Sequence, residues 1–197
     1  MTRDEIVASF RQPHYLEINK ARLEHLESLD LGFSDSSVLE VGAGIGDLSE
    51  AYIHDAGLYE ITDGRRSNVE IIIDTHGGGD ILNMDNPSDE YGVYDYIICY
   101  GLLYHLEYPI KALRWMSKRC KTLVLETCTS DTANSYQRAE SIEDPSQSVN
   151  GVGTYLTKEK LMGVLEALFD GVTIPHQPIH KDYPDKRIVI LAWNSNE

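Results

Sequence analysis

The sequence predicts an α/β fold of three layers, with helices on both faces of a mostly parallel sheet whose last strand runs antiparallel. Three observations carry that expectation. Val38-Leu39-Glu40-Val41 is a short apolar run feeding a glycine-rich turn, Gly42-Ala43-Gly44-Ile45-Gly46, which opens toward a helix. Further short apolar runs then alternate with helical patterns, as βαβ units require. The chain closes on two strand-like runs, Gly171 to Ile174 and Arg187 to Trp193, and two strands with no helix between them must be antiparallel.

At 197 residues and 42% hydrophobic content the chain reads as one globular domain, 1–197, long enough for a sizeable core. No apolar run approaches the length of a membrane span, and the first residues lack the apolar segment of a signal peptide. Cys99, Cys120 and Cys128 have no Cys-x-x-Cys spacing, and three thiols cannot all pair; they read as reduced thiols in a cytoplasmic protein. The net charge of −15, from 32 acidic and 17 basic residues, opposes a polyanion and argues against a nucleic-acid partner.

Taken in order, Pro13 to Leu31 places Leu16, Leu23, Leu26 and Leu29 near helical spacing. Tyr15, Asn19 and Arg22 share one face of that helix, so residues 1–36 are expected to form a helical cover whose polar face meets an acceptor. Val38 to Val41 is the first strand. Asp47-Leu48-Ser49-Glu50 has capping-box spacing, which predicts a crossover helix over Leu48 to His54. Leu58 to Thr62 is the second strand; Arg65 to Ile73 reads as a helix or a helix running into a strand. Asp80-Ile81-Leu82 follows a glycine turn, and Tyr94 to Tyr100 is the buried fourth strand. Pro109 opens the next helix, and Thr122 to Glu126 is the fifth strand. Thr127 to Thr154 is too long and polar for an ordinary connection and is expected to be a lid insertion. Lys158 to Phe169 is helical, with Thr157 as its cap. His176 and His180 are four apart, but Pro178 between them excludes a helical metal pair, and no metal site is expected.

The glycine turn points to a bound nucleoside. Gly42, Gly44 and Gly46 let a ligand approach the backbone closely. The spacing is Gly-x-Gly-x-Gly rather than the dinucleotide pattern, and Glu40 stands two residues before it. That carboxylate would repel a pyrophosphate, whereas S-adenosyl-L-methionine has no phosphate and carries an ammonium group. Asp63, 17 residues beyond Gly46 at the end of the second strand and followed by Gly64, is placed to accept both ribose hydroxyls. Tyr100 and Gly101, at the end of the fourth strand, border the same site, as does Ala43.

From Ser37 to Trp193 the chain resembles the class I S-adenosylmethionine-dependent methyltransferases. Glu40 to Gly46 is similar to their first motif, and Asp95 to His105 to their fourth. The resemblance implies a Rossmann-like, seven-stranded sheet and methyl transfer from S-adenosylmethionine. It puts Asp80 on the adenine amino group, with Asp85 as the alternative, and the backbone of Ile81 against the ring. Many small-molecule members carry Glu-His where this chain has Tyr104-His105, and in some of them the Glu is a metal ligand; its absence argues against that metal here. His105 is the candidate base, since a neutral imidazole can take a proton from a hydroxyl, or else a structural residue of the loop. Tyr104 is its alternative, and Glu126 a further contact to the acceptor. The acceptor is read as an oxygen or nitrogen of a small molecule; an RNA or protein methyltransferase and a non-catalytic S-adenosylmethionine-binding protein are the alternatives.

Overall fold

Residues that are apolar at successive positions of a strand must be buried on both sides, and the sheet meets that demand. The computed structural model describes residues 1–178 and 187–195. Seven strands form the main sheet: β1 (Ser37–Val41), β2 (Leu58–Asp63), β3 (Asp80–Ile81), β4 (Tyr94–Tyr100), β5 (Cys120–Cys128), β8 (Gly171–Thr173) and β9 (Arg187–Trp193). Their order is β3-β2-β1-β4-β5-β9-β8. The pairs from β3 across to β5 are parallel, and β9 runs antiparallel to both β5 and β8. The order reverses between β1 and β4, and ligands of open α/β sheets bind beyond the strand ends at such a point.

Alternation along the strands divides the core. Leu39, Val41, Ile97, Cys99, Leu123 and Leu125 pack with Leu113 and Met116 of α4 (Pro109–Ser117) and with Leu161 and Leu165 of α5 (Lys158–Leu168). The intervening Val38, Ile98, Val124 and Val189 meet Leu26 of α2 (Pro13–Ser28) and Tyr52. The same parity turns Glu40, Tyr100 and Glu126 toward α2. Thr157 caps α5 through a hydrogen bond from the Lys160 N–H, as its sequence position suggests. All three cysteines are unpaired. Among the described residues no helix is long and apolar enough to cross a membrane, and no cluster of His, Cys, Asp and Glu is arranged to hold a metal ion.

Several elements differ from expectation. No α-helix forms over Leu48 to His54; only a 3₁₀ turn spans Ser49–Ala51. The reason is the buried Glu40 carboxylate, which accepts hydrogen bonds from Ser49 Oγ (2.5 Å) and Tyr52 Oη (2.7 Å). Those side chains turn inward, and the Asp47 carboxylate, rather than capping a helix, meets Arg11 at 3.4 Å. The ambiguous run Ile71-Ile72-Ile73 is helical and lies within α3 (Arg66–His76), which ends on Gly77 in the left-handed region. An additional helix, α1 (Arg3–Phe10), packs Ile6 against Ile45 and Ile71. Leu16 of α2 is exposed, and Ile18 is buried in its place. The stretch 127–154 holds a hairpin, β6 (Tyr136–Ala139) with β7 (Val152–Tyr155), joined by a long loop. His180 lies outside the described residues.

Leu123 is wholly buried at the centre of the sheet, so Leu123→Ala should cost about 2–5 kcal/mol through lost burial and the cavity left behind. The check is urea unfolding with an unchanged m-value; a loss below about 1 kcal/mol would contradict this packing.

Candidate active site

Residues at the carboxyl ends of β1, β2, β3 and β4 line a narrow cleft of about 110 Å³. Its floor is the glycine turn. Gly42, Gly44 and Gly46 have φ of 69°, 63° and 83°, which side-chain-bearing residues rarely adopt. A Cβ on Gly44 would also stand 2.7 Å from the Phe10 ring, which overhangs the turn from α1.

Asp63 is buried directly behind this turn. One carboxylate oxygen accepts from the Gly44 N–H at 3.0 Å; the other accepts from the Arg65 N–H at 2.8 Å and Asn68 Nδ2 at 3.1 Å. Burial pushes its pKa up to about 6 despite these three donors. Arg65 and Asn68 also hold the long loop of the hairpin insertion over the cleft. Arg65 donates to the carbonyls of Ile142 (2.7 Å) and Ser148 (2.9 Å), and Asn68 donates to that of Pro145 (3.1 Å).

Glu40, Gly42, Ala43, Gly44, Gly64, Tyr100 and Gly101 all border the cleft, as do Tyr15, Asn19 and Arg22. Gly46 closes the turn behind it. Asp80 and Ile81 do not border it. Register pairs them with Thr62 and Asp63 on an exposed edge strand, so the chain reaches the cleft only afterwards, through Leu82, Asn83 and Met84. Asp85 accepts hydrogen bonds from the Tyr108 N–H at 2.8 Å and from Asn150 at 2.9 Å, which ties the insertion to the start of α4.

Glu126 lies under the cleft rather than in it. Its carboxylate is fully buried between Arg22 (2.8 Å) and Arg187 (2.8 Å). Burial opposes its charge, but the two guanidiniums outweigh that and hold its pKa down at about 2. Arg22 in turn lies against Gly101, whose φ is 73° and where a Cβ would stand 2.5 Å from the guanidinium.

After Gly101 the chain turns through Leu103–His105. His105 Nδ1 is 2.6 Å from Glu140 Oε2, and the Glu140 side chain is 1% exposed. Glu140 also accepts from the Ser148 N–H at 2.9 Å and from Arg138 at 3.0 Å. Burial raises the Glu140 pKa, but the hydrogen bond from His105, followed by these others, brings it below the ordinary carboxylate value. Facing a carboxylate, Nδ1 is the donor, which leaves the lone pair of the neutral ring on Nε2. A second cavity, of about 280 Å³, adjoins the cleft, and Tyr15, Tyr104, His105 and Gln147 line both spaces. Sequence reasoning missed Glu140, Asn83, Arg65, Asn68 and Phe10, because nothing in a polar insertion marks which acid will fold back onto a histidine.

The sequence matches a family model described as a methyltransferase domain over residues 11–168. The chain belongs to this family, the class I S-adenosylmethionine-dependent methyltransferases. No curated protein matches it. The fold of this methyltransferase is similar to the N-terminal domain of EvdMO1 crystallised with SAH (TM-score 0.72, 20% identity, covering 88% of this chain and 81% of that one). It is also similar to Burkholderia thailandensis 1,6-didemethyltoxoflavin-N1-methyltransferase (0.68, 15% identity, 98% and 87%). A third such structure is magnesium protoporphyrin IX methyltransferase from Synechocystis PCC 6803 (0.64, 14% identity, 93% and 85%).

The cluster at Glu126 makes its own prediction for this methyltransferase. Glu126→Gln leaves two buried cations undercompensated and should cost about 3–5 kcal/mol at pH 7. Because its folded pKa is depressed, the Glu126 contribution is present above the ordinary carboxylate pKa and is lost as pH falls toward about 2. Urea unfolding should therefore show the gap between wild type and variant narrowing below pH 4. A gap that stays constant down to pH 3 would contradict the pairing.

Proposed function

We propose that this protein transfers a methyl group from S-adenosylmethionine to an oxygen or nitrogen of a small-molecule acceptor. The observation that carries the proposal is the shared wall: Tyr104 and His105 border both the cleft above the glycine turn and the second cavity. One space suits the donor and the other the acceptor, with a histidine at their junction. The crystallised SAM and SAH complexes of similarly folded methyltransferases and the small-molecule acceptor named for the Burkholderia enzyme agree with this reading.

The chain's residues fit the donor. The turn admits close approach at Gly42 and Gly44, and Asp63 offers a carboxylate to the ribose hydroxyls. Asn83, where the chain crosses into the cleft beyond β3, replaces Asp80 as the polar side chain for adenine. Tyr100 Oη is buried without a hydrogen-bond partner among the described residues, so it is open to a ligand group.

S-adenosylmethionine supplies a methyl that leaves sulfur with the C–S electron pair staying on sulfur, as an acceptor lone pair forms the new bond. The protein's part is orientation, worth about 7–11 kcal/mol where alignment is good, together with removal of the acceptor's proton. His105 Nε2 takes that proton, Glu140 fixes the tautomer and steadies the imidazolium, and the proton then passes to solvent. Tyr15 of α2 borders both spaces, Asn19 and Arg22 of the same helix border the donor cleft, and residues 145–149 cover the donor. Glu126 serves by positioning Arg22 and Arg187.

Two outcomes test this assignment. Only ionised Asp63 accepts both hydroxyls, and with its pKa near 6 S-adenosylhomocysteine should bind about tenfold more weakly at pH 5 than at pH 7.5. Calorimetry should show that dependence vanish in Asp63→Asn, which binds more weakly by about 1–3 kcal/mol at pH 7.5; equal affinity for wild type and variant would remove Asp63 from the site. His105→Asn should lower turnover by about 10²–10⁴-fold, with S-adenosylhomocysteine affinity unchanged. Full turnover would reduce His105 to a loop residue.

A further inference from the structure

The second cavity has a distinctive lining. It lies between α2 and the β6–β7 hairpin, and four tyrosines border it: Tyr15 from α2, Tyr104 at its floor, and Tyr136 and Tyr155 from the hairpin. Ile18 is the sole branched aliphatic residue among those named for its wall.

The rings are held in place. Tyr136 and Tyr155 are directly paired across the hairpin, with centroids 5.1 Å apart and planes 1° from parallel. Tyr155 meets Tyr104 at 5.5 Å. Arg138 lies 4.9 Å over the Tyr155 ring and Arg187 5.6 Å over that of Tyr104. Both guanidiniums are anchored, Arg138 by Glu140 and Arg187 by Glu126. Tyr155 is buried, but Tyr136 is 38% exposed; it borders the cavity, as does Tyr15, which meets the His14 ring at 4.4 Å. The cavity is thus bordered by four tyrosine rings, by the guanidiniums of Arg138 and Arg187, and by His105, whose partner Glu140 is buried.

Such walls favour one shape of occupant. Aromatic rings pack well against flat π-systems, in offset or edge-to-face contact. A branched aliphatic acceptor would leave those faces poorly matched. His105 adds a chemical preference: general-base help from a neutral imidazole is most effective for a proton that is already fairly acidic. A phenolic hydroxyl or a heteroaromatic ring N–H meets that need far better than an alcohol.

We infer that the acceptor is a planar aromatic molecule bearing a phenolic hydroxyl or ring N–H, held between Tyr15 and the Tyr136 face of the hairpin with that group at His105. This rests on the reading of the protein as a small-molecule methyltransferase and narrows it to a substrate class.

The test is saturation-transfer NMR on the S-adenosylhomocysteine complex. One probe set is hydroxybenzoates, catechols and hydroxyquinolines; the other is aliphatic hydroxy acids and monosaccharides. The aromatic set should bind at least tenfold more tightly, with saturation strongest at the ring protons. Tyr136→Ala should weaken aromatic binding at least fivefold, Tyr136→Phe should retain it, and calorimetric affinity for S-adenosylhomocysteine should be the same in all three proteins. Tyr136 is chosen because its exposure spares the core. The inference is overturned if the aliphatic set binds as tightly, if neither set binds, or if Tyr136→Ala binds the aromatics as wild type does. Failure of the underlying reading looks different: S-adenosylhomocysteine gives no heat, or label from S-adenosylmethionine enters only protein or RNA.

Discussion

A carboxylate buried at the end of a parallel strand has to be met by donors from the protein itself, because water is excluded there. Three such groups, Glu40, Asp63 and Glu126, stand at the ends of β1, β2 and β5, and much of the surrounding structure follows from how each is met. Glu126 draws Arg22 from α2 and Arg187 from β9 to one point. That fixes the covering helix and the antiparallel strand relative to the sheet. Glu40 recruits Ser49 and Tyr52 and so prevents the first crossover from becoming a helix. Asp63 fastens the glycine turn to the start of α3. The residues best suited to recognise a ligand are thus also the ones that shape the backbone around it.

This constraint explains which features were legible in the sequence. The buried strands could be read because apolar runs of that length have few alternatives, and β4 lies over the predicted residues. The glycine turn, Asp63 and the polar face of α2 could be read because spacing alone brings them to one end of the sheet. The first crossover was misread because its capping-box pattern is local, whereas the Glu40 carboxylate it competes with is tertiary. Asp80 lies on an edge strand of only two residues, a length the sequence does not signal, and the chain lines the cleft only beyond it, from Leu82 to Met84. Glu140 had no signal at all. It becomes significant only when the hairpin folds back on His105, 35 residues earlier in the chain.

The hairpin insertion is therefore more than a cover. Its strands supply the aromatic wall of the second cavity, its loop residues 145–149 line the first, and Glu140 at its turn-side edge grips the histidine between them. A plain lid would need only to exclude water. This segment carries the partner of His105, so displacing it would remove Glu140 from His105 as well as uncover the cleft above the glycine turn.

Ser148 shows how directly the two halves of the site are joined. Its carbonyl accepts from Arg65, the residue whose N–H also holds Asp63, and its N–H donates to Glu140. One residue therefore spans from the neighbourhood of Asp63 to the carboxylate paired with His105. Asp63 lies on β2 and His105 follows β4, with β1 between them in the sheet, so the sheet provides no contact this short between them. Displacing the loop at Ser148 removes a donor from Glu140 and an acceptor from Arg65 at once. The hydrogen bonds around Asp63 and the His105–Glu140 pair accordingly depend on the same arrangement of the loop.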